Sequence, residues 1–331
     1  MFRSASHSAL LVRPPSRDRV LSLVLIAPSI LAVAVFVYGL IGWTAFVSTT
    51  NWNDLLPDYS SAGLANFASI FDNPRFQIDL RNTAVFTVCF VAAALVLGLL
   101  LANLIDRRIR AEGFFRSVFL FPMAISFIVT GVVWKWLLTP SSGFNSLFHL
   151  DPATNRWFTD ETVIHLGSDS PVGRWLGDIG LGFLTSTNFG VPVAMLSIVL
   201  AAVWQMSGFV MALYLAGLRA IPDELREAAR VDGATELRVF RHVVLPLLTP
   251  VTISAVIILG HISLKIYDLT VAMSPIGPGF GTDVPANFMW TTAFNDNQFA
   301  RGAAVAVVML VLIAIVIVPY LIWTGRREIE R

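Results

Sequence analysis

The sequence predicts an all-α, polytopic membrane protein with six transmembrane helices, and three observations carry that reading. Of its 331 residues, 56% are hydrophobic and 14% charged, with a mean hydropathy of +0.71. Soluble domains run at about 45–50% apolar and about 25% charged. Six segments hold the ~20 mostly apolar residues that a helix needs to cross a hydrocarbon core ~30 Å thick. The basic residues between those segments gather on one side. The same composition excludes a disordered chain, which would be polar and highly charged. Cys89 is the sole cysteine, so no intrachain disulfide framework exists. The net charge of +1 says nothing by itself about nucleic acid, and no nucleic-acid partner is expected.

The first span is Leu21–Val47, preceded by Arg3, Arg13, Arg17 and Arg19 in a cytoplasmic N-terminal segment, residues 1–20. Its apolar run is too long for a signal h-region, and no small-residue cleavage site closes it. A loop, Asn51–Asp79, follows with Asp54, Asp58, Asp72 and Asp79. The second span, Leu80–Ile105, leads to Arg107, Arg108, Arg110 and Arg116, and the third is Phe115–Leu138. Near the end of the third, Trp134-Lys135-Trp136 reads as an interfacial aromatic belt with a snorkelling lysine. Residues 140–191, with Pro152, Pro171, Trp157 and Trp175, form an outer loop long enough to be an ordered cap or a functional element.

The fourth span is Pro192–Leu218, the fifth Val251–Ala272 and the sixth Gly302–Thr324, within a membrane domain spanning residues 21–325 and followed by a tail, 326–331. Arg219, Arg226, Arg230, Arg238 and Arg241 lie between spans four and five, and Arg326, Arg327 and Arg331 follow span six. The opposite side holds only Arg75, Arg81, Arg156, Arg174 and Arg301. Lys/Arg excess marks the cytoplasmic side, so both termini are expected inside.

The one long cytoplasmic stretch runs from Ile221 to Pro250. Pro222 and Asp223 suit a helix start, with Asp223 and Glu224 at the positive end of the macrodipole. Gly233 permits a sharp break, Thr235 can cap a second short helix through Phe240, and Pro246 and Pro250 punctuate the approach to span five. Two short helices bent at a glycine make a compact knob. Ala228, Ala229 and Ala234 let a partner approach closely, and Glu227 and Asp232 offer charge. From residues alone, a solvated loop with an intrahelical Glu227–Arg230 pair, worth ~0.2–0.5 kcal/mol, is an equal alternative.

The run EAARVDGA from Glu227 to Ala234, with Phe240 and Pro246 after it, resembles the EAA motif of permease subunits of binding-protein-dependent ABC importers. Further similarity to the carbohydrate-uptake (maltose-type) branch lies in Arg81-Asn82-Thr83, Gly113-Phe114-Phe115-Arg116 before Pro122, Gly143-Phe144-Asn145, Trp204-Gln205 and Leu218-Arg219-Ala220-Ile221-Pro222. The resemblance covers roughly residues 20–325, and the outer loop after span three is longer than usual for the family. It implies a type I ABC importer permease fold in a bacterial-type cytoplasmic (inner) membrane. It also implies a second, homologous permease, two cytoplasmic ATPase subunits that use ATP and Mg, and an extracytoplasmic sugar-binding protein. Glu227, Ala228, Ala229, Asp232 and Gly233 would then form the ATPase-docking element.

The chain itself is expected to bind no cofactor and to catalyse nothing. It lacks a GxxxxGK phosphate loop, and Gly277-Pro278-Gly279-Phe280-Gly281 reads as a turn. His7, His149, His165, His242 and His261 have no metal-ligand spacing, and no Ser or Cys sits in a nucleophile motif. Candidates for lining a substrate pathway are Trp204, Gln205, Lys265, Tyr267 and Asp268, because polar groups within spans are costly to insert. Ser207 and Tyr214 accompany the first two, and His261 precedes the others. Lys265 and Asp268, three apart on one expected helix face, would neutralise each other or meet the second permease. The alternative function is an ion-coupled secondary transporter using Lys265 and Asp268, disfavoured by the single EAA loop and the lack of an inverted repeat. Asn287, Trp290 and Asn295, before span six, are offered to the binding protein.

Overall fold

The computed structural model describes residues 17–106, 110–165, 170–178 and 190–329. Most of the expected N-terminal segment (1–16), Arg107 and Arg108, two stretches of the long loop (166–169 and 179–189) and residues 330 and 331 lie outside the described residues.

The elements follow in chain order as α1 (Arg17–Val33), a π-helical stretch Ala34–Gly39, α2 (Leu40–Ser48), α3 (Ala65–Phe71) and α4 (Pro74–Asp106). Next come α5 (Glu112–Leu120), a 3-10 turn Phe121–Ala124, α6 (Phe127–Leu137) and α7 (Gly143–Leu147). In the long loop, β1 (Val163–Ile164) pairs antiparallel with β2 (Val191–Pro192), and α8 (Pro171–Asp178) lies between them in sequence. Then follow α9 (Val193–Arg219), α10 (Asp223–Val231), α11 (Glu236–Val239), a π-helical stretch Phe240–Val244, and α12 (Leu245–Leu247). The chain continues through α13 (Thr249–Leu264), α14 (Asp268–Met273), α15 (Pro285–Trp290), a π-helical stretch Thr291–Asn295 and α16 (Phe299–Ile329).

The centre is the α4–α9 pair, the most extensive helix contact among the described residues. Along α4, Phe86, Phe90, Ala94, Gly98 and Ala102 recur every fourth residue and are buried. That spacing makes one ridge. Its taper from phenylalanine to glycine lets α9 approach closely, because a Cβ on Gly98 would meet the side chain of Val210. α9 is the most buried of the long apolar helices, consistent with a central position. By contrast, Val24–Ser48 is almost wholly uncovered, with only Val47 and Ser48 at its end buried among the described residues. Such an apolar helix with no covering protein needs lipid or a partner around it.

Four helices are long and apolar enough to cross a membrane, or up to six if two bent pairs each count as one span. Two expected spans are not straight. Span three breaks near Ile125, and its segments Glu112–Ala124 and Phe127–Leu137 meet at 100°. Pro122 tightens the chain into a 3-10 turn, Ile125 is extended (φ −87°, ψ 142°), and Ser126 restarts the helix by accepting the Val129 N–H at 3.3 Å. α6 alone, at 11 residues, is about 16 Å long and cannot span. Span five bends by 63° between Leu247 and Thr249, then ends at Leu264 rather than running to Ala272. The break at Lys265–Tyr267 removes the expected helix face shared by Lys265 and Asp268. Accordingly, these two form no ion pair among the described residues.

Candidate functional site

The loop after α9 folds as the residues dictate. Pro222 is extended (ψ 135°), and Asp223 and Glu224 occupy the first turn of α10. Gly233 ends α10 with φ +82°. There Ala234 N–H donates to Ala229 O and Gly233 N–H to Arg230 O, both at 3.0 Å, the 6→1 and 5→2 bonds of a Schellman turn. Thr235 then starts α11, although its side chain makes no capping bond. The result is the expected knob of two short helices.

The knob offers its residues outward. Glu227, Ala228, Asp232 and Gly233 are exposed and Ala229 half-buried, and α10 has no fully buried residue. Val231 is 87% exposed and Leu237 75%. Arg230 does not form the intrahelical pair with Glu227 that the solvated-loop alternative offered. Its Nε and Nη2 reach across the Gly233 turn to both carboxylate oxygens of Glu236, at 2.7 and 3.3 Å, which holds the guanidinium above its usual pKa. Glu227 forms no ion pair among the described residues.

The pathway candidates fall into two groups. On α9, the Trp204 ring meets Trp134 of α6 edge-on at 5.9 Å. Gln205 is buried and donates from Nε2 to Ile125 O at 2.7 Å, bracing the break in span three, while its Oε1 is buried without a hydrogen bond. The others sit on the second break, with Lys265 exposed just past α13, Tyr267 half-buried before α14 and Asp268 exposed in its first turn. α14 lies against α6, where a Cβ on Gly131 would meet Ala272 Cβ at 2.6 Å. The two broken spans are therefore in direct contact. Non-helical backbone at membrane depth is tolerated where protein buries it or where it lines a water-filled path.

A polar cluster at the Pro74 end of α4 escaped the sequence reading. Arg75 and Asp79, read as loop residues, lie within α4 together with Arg81 at the opening of span two. Asp79 and Asp283 are completely buried, and Arg75 Nε binds Asp283 Oδ2 at 2.7 Å. Asn82 Nδ2 donates to Phe280 O at 2.7 Å and Asp283 O at 2.8 Å, fastening the Gly277–Gly281 turn to α4. Asn287, expected to face a partner, is instead buried and donates to Asp283 Oδ1 at 2.7 Å and Pro275 O at 2.9 Å. Only its spacing from Asp283, one helical turn, hinted at this pairing. No group of three or more metal-ligating side chains occurs among the described residues.

Long apolar helices, two bent helix pairs and an exposed two-helix knob thus make up the fold. A bacterial ABC transporter involved in import of the acidic polysaccharide alginate has a similar fold, with a TM-score of 0.66 at 19% identity, covering 94% of this chain and 96% of that one. The chain belongs to the family described as binding-protein-dependent transport system inner membrane component, whose profile matches residues 94–324. Similar relatives include a probable ABC transporter permease of Pyrococcus horikoshii, 36% identical over 91% of this chain and 94% of that protein. A xylose/arabinose import permease of Haloferax volcanii is 35% identical over 89% and 85%. A probable starch-degradation-product transport permease of Thermoanaerobacterium thermosulfurigenes is 32% identical over 92% and 94%.

Proposed function

We propose that this chain is the permease subunit of an ATP-driven sugar importer in a bacterial-type cytoplasmic membrane, crossing it six times with both termini inside. Each bent helix pair counts as one span in that topology, and the basic residues of the α9–α13 connection face the cytoplasm. A second, homologous permease completes the pathway and covers the bare apolar surface of α1 and α2. An extracytoplasmic binding protein delivers the sugar. Two ATPase subunits sit below, and α10 docks on one of them through Glu227, Ala228, Ala229, Asp232 and Gly233.

The observation that carries this reading is the exposed α10 knob, with Glu227 in no ion pair among the described residues, small side chains beside it and the bare Val231 at its tip. Val231 and Leu237 are both uncovered on this knob among charged side chains, a composition that suits a docking surface. ATP binding draws the ATPases together and carries the docked helices with them, switching the spans from inward to outward. ATP drives that switch by its differential affinity for the two states. This chain contributes no catalysis. The sugar class rests on relatives named for sugars and on the aromatic and amide groups Trp204 and Gln205 beside the break at Ile125. Lys265, Tyr267 and Asp268 line the second break as further pathway candidates. Family membership favours ATP coupling over an ion-coupled use of Lys265 and Asp268. Affinity purification of the tagged chain with its ATPase is the test. The wild type retains the ATPase and Glu227→Arg releases it while still inserting, and equal retention by both would refute the docking role.

A further inference from the structure

Beyond the short link 220–222, α10 makes little contact with α4 and α9. It has no fully buried side chain, and the cavities on its two sides measure about 570 and 350 Å³. One residue turns inward. Arg226 Nη1 meets Asp106 Oδ2 at 3.2 Å, at the last residue of α4, and Nη2 donates to Leu218 O at 2.9 Å, in the final turn of α9. Both side chains are mostly shielded, at 19% and 16% exposure. The planar guanidinium thus joins the C-terminal ends of two helices, where a cation is favoured by both macrodipoles. Among the described residues, no other α10 side chain bonds to α4 or α9, and Arg230 instead binds Glu236 at the start of the bent fifth span. Nearby, Arg219 at the end of α9 binds Glu112 of α5 at 2.6 Å, tying a third span end into the same assembly without touching α10.

We propose that Arg226 is the positioning residue that transmits movement of α10 to the α4–α9 pair, with Asp106 as its anchor. The inference rests on the functional reading above. α4 and α9 move as one body because their ridge is closely packed, and α10 moves with them because Arg226 pins it at two points. Without that fork, α10 still presents Glu227 to an ATPase and still holds Glu236 through Arg230, but its displacement dissipates in the surrounding cavities instead of reaching the α4–α9 pair.

The test uses the complete transporter in lipid nanodiscs and proteoliposomes, with wild type, Arg226→Met, Asp106→Asn and the swap Arg226→Asp/Asp106→Arg. Two readouts are taken, namely sugar imported per ATP hydrolysed and amide hydrogen exchange of residues 223–231. Arg226→Met is expected to lower the import-to-hydrolysis ratio by about five-fold or more, the low end of measured couplings between sites. The ATPase stays bound and the α10 amides exchange faster. Asp106→Asn acts in the same direction and more weakly, since the Leu218 carbonyl bond survives, and the swap recovers part of the Asp106 contribution. An unchanged ratio in Arg226→Met overturns the proposal, and so does unchanged exchange. If the wild-type assembly fails to import with ATP, the functional reading has failed. In that case the exchange measurement alone still decides whether Arg226 holds α10.

Discussion

Gln205 of α9 donates from its side-chain amide to the carbonyl of Ile125 at 2.7 Å, at the residue where span three leaves helical geometry. A carbonyl freed by a helix break needs a partner inside a bilayer, where water is not at hand. α9 supplies it from the residue that follows Trp204, which itself packs on α6. The break is thus a built feature shared by two spans.

Gln205→Leu should destabilise the purified complex by about 1–3 kcal/mol, the cost of stranding a partly buried carbonyl. Thermal unfolding in detergent measures this. A melting temperature equal to wild type would mean that another group satisfies Ile125.

Gly233 tests the knob's geometry separately from its chemistry. A Cβ there meets nothing within 4 Å, so any cost of substitution comes from the backbone at φ +82°. Asparagine tolerates that region better than alanine, and a β-branched residue tolerates it least. Uptake should therefore fall in the order Gly233→Asn, Gly233→Ala, Gly233→Val. Equal uptake in all three would show that the turn can open without loss.

Arg75 is the cation that binds Asp283 in the polar cluster, and its guanidinium also lies 5.4 and 5.3 Å from the rings of Phe280 and Phe288. Removing one partner of a buried pair typically costs about 3–5 kcal/mol, because the other charge stays buried. Arg75→Met should accordingly lower expression and melting temperature sharply, and Arg75→Met/Asp283→Asn should recover part of that loss. A double variant no better than the single would mean that Asp283 is not the stranded group.

Gly208 of α9 packs directly on the backbone of span three, since a Cβ on it would collide with the backbone carbonyl of Phe119. Backbone cannot yield as a side-chain tip can. Gly208→Ala should therefore reduce stability more than the same change at the unobstructed Gly113, as compared by thermal unfolding of the two variants. A larger effect at Gly113 would contradict the packing described.

The long helices α4, α9 and α16 were legible because their apolar runs are continuous and lack internal breaks that interrupt the pattern. The knob was legible because proline, acidic residues and glycine stand where helix ends need them. The two span breaks were not. Ile125-Ser126 and Lys265-Ile266-Tyr267 are short and sit in apolar surroundings, so averaging over ~20 residues absorbs them. The direction taken by Arg230 was hidden too, because Glu236 comes within reach only once Gly233 has turned the chain. Arg226 counted only as one more positive charge, since its partners Asp106 and Leu218 become neighbours through the packing of α4 on α9. Asp79 looked like a loop acid because Asp283, 204 positions away, is what surrounds it in the fold.

Transport by the assembled complex is the most direct measurement of ATP coupling through α10. Proteoliposomes holding this chain, its partner permease and the ATPases, with binding protein and labelled sugar outside, should accumulate sugar only with ATP inside. Glu227→Arg should stop that accumulation while the chain still inserts. ATP-dependent uptake at the wild-type rate by Glu227→Arg, or uptake driven by an ion gradient with this chain alone, would contradict that coupling.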